Sequence, residues 1–145
     1  MSRVYTASDH KGFALKQALI PYIGSLGYEV DDIGAHEFEV GDDYPDYITP
    51  CARAVARDEG SFGVIFGKSG QGEAMCANRI PGIRAAVFYA VSADIIRLAR
   101  EHNDANILSI GAAFVDETEA KSAVRLFLST RFSEEGRHMR RLAKF

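Results

Sequence analysis

The stretch FGKSGQGEAMCANR, residues 66–79, runs from the end of an apolar segment into a helix-prone one, and its reading decides the fold. Gly67-Lys68-Ser69 has the ending of a Walker A loop, but that loop needs another glycine five positions before Gly67, where Phe62 stands. A dinucleotide fingerprint fails too, because Gly70 and Gly72 are followed by Met75 where the third glycine belongs. With Gly63 opening the run Val64-Ile65-Phe66, the segment reads as a strand over Phe62 to Phe66, a glycine-rich turn, and a helix from about Gly70 to Arg79.

The same alternation extends in both directions. Arg3 to Ala7 is β-prone; Leu15, Leu19, Ile23 and Leu26 then recur as on one helix face, with Pro21 expected to kink that helix or end its regular bonding. Gly27 stops it before a strand over Tyr28 to Ile33. The acid-rich stretch from Gly34 to Tyr44 reads as a long loop, of a kind often functional, and Asp46 to Asp58 as a helix. Further strands are expected over Ile83 to Phe88 and Asn106 to Ile110. Helices are expected from a Ser92 cap to Glu101, over Asp116 to Ser129, and over Ser133 to Leu142. Five strands separated by helices imply a parallel sheet covered on both faces by right-handed crossovers, with ligands bound beyond the carboxyl ends of the strands.

At 145 residues the chain has the length of one domain, 1–145, with no repeat or linker. A net charge of −3 with both signs interspersed argues against a general nucleic-acid or membrane-surface binder. Cys51 and Cys76 form no C-x-x-C pattern and suggest reduced thiols in a cytoplasmic protein. No segment resembles a signal peptide or approaches the roughly 20 apolar residues of a membrane helix.

Several constellations carry chemistry, each with a plainer alternative. Ser69 to Glu73 joins a strand end to a helix start, where free N–H groups, close-approaching glycines and a hydroxyl suit an oxyanion; it is equally a turn with Ser69 as N-cap and Glu73 in the first helical turn. Asp9-His10 follows strand one as a candidate pair or as a capping Asp with an exposed neighbour. His102-Asn103 lies at the far end of the helix after strand four, or simply terminates it. Arg137 and Arg141 share a face at i, i+4 of a basic final helix, as a phosphate clamp or a solvated surface.

Taken in order, Ser8-Asp9-His10-Lys11-Gly12, Asp43-Tyr44-Pro45-Asp46, Ser69-Gly-x-Gly-Glu73, Ala77-Asn78-Arg79, Gly82-Ile83-Arg84-Ala85, Glu101-His102-Asn103-Asp104 and Gly136-Arg137-His138 resemble the ribose 5-phosphate isomerase B family, which also contains galactose and allose 6-phosphate isomerases. The match spans essentially the whole chain. It implies a Rossmann-like three-layer α/β/α sandwich with a five-stranded parallel sheet. It also implies a metal-free aldose–ketose isomerase without cofactor, forming a homodimer or dimer of dimers with sites at the subunit interface. One branch of the family uses a cysteine at the end of strand three as base. Gly67 occupies that place here, so the chain resembles the branch that uses the glutamate, Glu73.

Moving a carbonyl between C1 and C2 needs a base that takes a proton α to the carbonyl and returns it to the neighbouring carbon through an enediolate. Glu73 can be that base, with Ser69 and the N–H groups around Gly70, Gln71 and Gly72 holding the developing oxyanion. By resemblance, His102 opens the sugar ring with Asp9 assisting, Asn103 contacts substrate hydroxyls, His10, Arg137 and Arg141 hold the phosphate, and Tyr44 lines the site. Two positions depart from the family pattern: Ala113 stands where many members carry a phosphate-binding arginine, and Lys68 stands where glycine is usual. These leave open either neutral drift or a changed substrate, such as a tetrose or hexose phosphate.

Overall fold

The computed structural model describes residues 2–90 and 92–145. In chain order the elements are β1 (Arg3–Ser8), α1 (Phe13–Ser25), β2 (Glu29–Gly34), α2 (Pro45–Arg57), β3 (Phe62–Gly67), α3 (Gln71–Ala77), β4 (Ala85–Phe88), α4 (Ala93–Glu101), β5 (Ile107–Gly111), α5 (Glu117–Ser129) and α6 (Gly136–Leu142). The strands form one parallel sheet in the order β2-β1-β3-β5-β4.

Alternation along the central strands divides the apolar residues between two cores. Val4, Val64, Phe66, Leu108 and Ile110 face Leu19 and Ile23 of α1, Ile96 of α4, and Val124 and Phe127 of α5. Tyr5, Ala7, Ile65 and Ile107 face Ile48, Cys51 and Val55 of α2 and Ala77 of α3. Both faces of the sheet are thus covered, giving the expected three layers. The register pairs Ser8 with Phe66 and Gly67 with Gly111, so β1, β3 and β5 end level. Asp9 and the turn after Gly67 consequently emerge side by side.

Four expectations are corrected. Pro21 does not end α1: the helix runs through to Ser25, because Leu19 and Ile23 on either side are fully buried while Pro21 faces outward. The strand expected from Ile83 begins at Ala85, since Ile83 closes a turn onto Ile80 and the Arg84 N–H goes to the side chain of Asn106. The helix after the glycine turn is shorter at both ends, because Gly70 is left-handed and Asn78 is its C-cap. The final helix starts at Gly136 rather than Ser133, whose N–H instead reaches the carbonyl of Glu101. Ser92 does cap α4, accepting from the N–H of Asp94.

Candidate active site

Glu73 lies in the first turn of α3 and is 5% exposed. Its carboxylate occupies the space just beside the end of β3, so that a β-carbon on Gly67 would overlap it. The absence of a side chain at position 67 is therefore what admits the carboxylate against the sheet. Burial raises the Glu73 carboxyl above its ordinary range; its own N–H opposes this, and the charge of Asp9 adds to it. Asp9 follows β1 and Glu73 follows β3, two paired strands of the sheet.

The turn before Glu73 is built to present main-chain donors. Gly70 has φ 78°, a left-handed conformation that suits glycine, and it rather than Ser69 is the N-cap residue of α3. Its carbonyl accepts from the Ser109 hydroxyl at 2.7 Å, fixing the turn to β5. The Ser69 hydroxyl accepts from the Gln71 N–H at 3.3 Å. Gly72 abuts Tyr44, whose hydroxyl stands 2.5 Å from where a β-carbon would sit. Lys68 is exposed; its carbonyl accepts from the Ala113 N–H at 3.0 Å, so positions 68 and 113 are neighbours across extensions of β3 and β5.

On the β1 side, the Asp9 carboxylate accepts from the N–H of Lys11 and more weakly from that of Gly12, and is 7% exposed. His10 is gripped by Asp42, which the sequence assigns no role: Asp42 Oδ1 accepts from the His10 N–H at 3.0 Å and lies 2.6 Å from its Nδ1. Asp9, His10 and Asp42 bring potential metal-ligand atoms within 4.8 Å of one another. The His10–Asp42 separation is nevertheless that of a hydrogen bond, shorter than the ~3 Å between two ligands of one ion.

A second group stands elsewhere. A helix that follows a parallel strand returns to the sheet's amino-terminal edge, and α4 does so: His102 and Asn103 lie near the starts of β4 and β5, where the Asn106 N–H bonds the Arg84 carbonyl. Asn103 lines a cavity of about 370 Å³ there with Asn78, Ile83, Arg84 and Phe145. His102 is stacked on His138 of α6, their centroids 4.2 Å apart. His138 is 5% exposed, and burial, with the charges of His102 and Arg137 behind it, lowers its pKa. Arg137 and Arg141 are exposed on the same helix. Within one chain the expected site residues thus fall into two groups at opposite edges of the sheet, Asp9, His10, Ser69 and Glu73 at the carboxyl edge and His102, Asn103, Arg137 and Arg141 at the amino edge. Two larger cavities, of about 740 and 530 Å³, also lie at the amino edge and contain no expected site residue.

A shielded carboxylate beside a turn of main-chain donors, at the carboxyl ends of a parallel sheet, defines an α/β enzyme of the proton-transfer class. Residues 4–145 match the family described as Ribose/Galactose Isomerase, and the chain belongs to that family. It is 39% identical over 140 residues to the ribose-5-phosphate isomerase B of Mycobacterium tuberculosis, covering 97% of this chain and 85% of that protein. The crystal structure of Mycoplasma genitalium ribose-5-phosphate isomerase B with bound ribulose-5-phosphate superposes with a TM-score of 0.92, at 34% identity over 98% of this chain and 92% of that one. The type B ribose 5-phosphate isomerase of Trypanosoma brucei gives a TM-score of 0.93 at 36% identity, covering 99% and 96%.

Proposed function

We propose that the chain is an aldose–ketose isomerase that interconverts ribose 5-phosphate and ribulose 5-phosphate, with Glu73 as the base. The observation that carries this reading is the Glu73 carboxylate lodged in the space left by Gly67, beside the Ser69–Gly72 turn. Glu73 takes the proton from C2 of the open-chain aldose and returns it to C1, while the hydrogen of the C2 hydroxyl passes to O1, so that the carbonyl moves from C1 to C2. The electron pair passes to the carbonyl oxygen, whose charge Ser69 and the N–H groups around Gly70, Gln71 and Gly72 stabilise. Tyr44, pressed on Gly72, borders the reacting carbons, and Asp9 keeps its place next to the base.

Ring opening and phosphate binding need the second group of residues, which one chain holds at its other edge. We infer a homodimer, or a dimer of dimers, in which the partner subunit's His102 opens the furanose. In this assembly the partner subunit's Asn103 contacts hydroxyls, and the partner's Arg137 and the partner's Arg141 join His10 at the phosphate. Met75, on α3 two residues after Glu73 and 66% exposed, is an apolar side chain such an interface would cover. Residues 1–145 act as one domain. We place the protein in the cytoplasm, a reducing compartment in keeping with its two free cysteines; among the described residues no helix is long and apolar enough to cross a membrane.

One observation favours a second reading of the substrate. Lys68, whose carbonyl accepts from the Ala113 N–H, offers a flexible ammonium from the strand next to the position where an arginine is usual in the family, which would suit a phosphate displaced along a tetrose or hexose chain. The values of kcat/KM across four-, five- and six-carbon aldose phosphates decide between the two. For the base, Glu73→Gln is expected to lower kcat by about 10²- to 10⁴-fold with KM little changed. Cys76→Ser, whose sulfur is engaged by the Thr49 hydroxyl at 3.3 Å, is expected to stay near wild type. The reverse pattern would move the base from Glu73 to Cys76.

A further inference from the structure

We propose that Asp42 is a positioning residue for His10, holding the imidazole with Nδ1 protonated toward its carboxylate and Nε2 directed to the substrate's phosphate. The inference rests on the reading that His10 contacts that phosphate.

Asp42 belongs to the loop between β2 and α2, 32 residues from His10, and one of its oxygens meets both the backbone and the ring of that residue. Gripping the N–H at 3.0 Å and Nδ1 at 2.6 Å fixes the position of the main chain and the rotation of the side chain together. The two side chains are 5% and 16% exposed, so water competes little with the pair. Burial works to raise the Asp42 carboxyl, yet the His10 ring and N–H, with Tyr47, outweigh it and keep the group below the ordinary carboxylate value. An ionised carboxylate can only accept, so Nδ1 must carry the hydrogen between them, and Nε2 is the ring atom left for a ligand; phosphate oxygens accept as well, so the ring takes up a second hydrogen at Nε2 with the ligand and donates from both nitrogens.

The other groups facing the ring are consistent with a fixed orientation. Phe38 from the same loop packs edge-on against it at 6.2 Å, and Phe38 is itself braced by Phe13 at 6.2 Å. A carboxylate oxygen of Asp9 lies within 4.8 Å of a ring nitrogen of His10. An imidazole free to flip would present Nδ1 or Nε2 at random to the phosphate; the Asp42 contact removes that choice before substrate arrives.

The test combines a double-mutant cycle with ring-nitrogen NMR of the full chain labelled with ¹⁵N-histidine. Asp42→Ala is expected to raise KM for ribose 5-phosphate by about tenfold, the size of losing one charged hydrogen bond, with kcat within about threefold of wild type. In a His10→Ala background the same change should add less than about twofold, because its effect runs through the ring. Asp42→Asn, which keeps an oxygen acceptor, should recover most of the KM. Without substrate, the His10 signals should report the Nδ1–H form in the wild type and lose it in Asp42→Ala. A full Asp42→Ala penalty persisting in the His10→Ala background, or an unchanged tautomer, would overturn the inference. If His10→Ala itself left KM at the wild-type value, the assignment of His10 to the phosphate would fall and take this inference with it, whereas a raised KM in His10→Ala with none in Asp42→Ala would overturn the positioning role alone.

Discussion

Glu73 owes its character to three neighbours: Gly67, which leaves it room, the apolar surroundings, and Asp9, whose charge discourages its ionisation. Burial therefore makes it a stronger base than an exposed glutamate, and the acidic limb of the kcat profile is expected above the ordinary glutamate pKa of about 4.3. The same shift has a cost in stability with a definite sign. A carboxyl whose folded pKa is raised favours the folded state at pH below its unfolded pKa, and that contribution is lost as pH rises through the folded value. Glu73→Gln is thus expected to unfold at a higher temperature than wild type near pH 8, the gap closing on acidification below the ordinary glutamate range; an equal gap at both pH values would contradict the account. For Lys68, truncation to Ala is expected to raise KM with kcat nearly unchanged, as for loss of uniform binding. A lowered kcat with constant KM would put the ammonium at the reacting carbons instead. Sequence singles out Glu73 as the candidate base only through the family resemblance, because by spacing alone it reads equally as a carboxylate in the first turn of a helix. It does not reveal Asp42, whose pairing with His10 depends on how the acid-rich loop between β2 and α2 folds back toward the end of β1, a matter of tertiary packing with no local signature.

Among the elements, strand and helix order follows from apolar periodicity, and departures concentrate where a local rule meets packing. Pro21 removes one backbone donor from α1, yet Leu19 and Ile23 seat the helix on the sheet on both sides of it, and tertiary burial outweighs the lost bond. The helix also hides a feature its periodicity does not announce. Lys16 is fully buried, its ammonium donating to Asp32 and to the Ala35 carbonyl, both at 2.6 Å, while burial pulls its pKa down. It ties α1 to the end of β2 and the start of the loop that carries Asp42. Lys16→Met keeps the length but leaves Asp32 without its partner, and is expected to destabilise the fold by roughly 3 kcal/mol, read by denaturant unfolding. A change below about 1 kcal/mol would mean that water replaces the ammonium readily. The shortened final helix has a similar origin: once Ser133 donates to Glu101, only the segment from Gly136 is free to coil, and His138 is carried onto His102.

For the molecule as a whole, the winding of the chain sends His102 and Asn103 to the amino edge of the sheet and leaves Asp9, Ser69 and Glu73 at the carboxyl edge. Strand order alone implies this separation, because a helix following a parallel strand must run back along it, although motif order along the chain suggests one cluster. The proposed dimer joins the two groups across two copies, which would give each a function. The most direct measurement is an isolated hybrid dimer carrying Glu73→Gln in one subunit and His102→Asn in the other, assayed on ribose 5-phosphate against the two parent homodimers. If the site is shared, one of its two sites holds both intact residues, and the hybrid should recover about half the wild-type rate while both parents stay far below it. A hybrid no more active than the mean of its parents would contradict the shared site, since every site would then lack either the base or the ring-opening histidine.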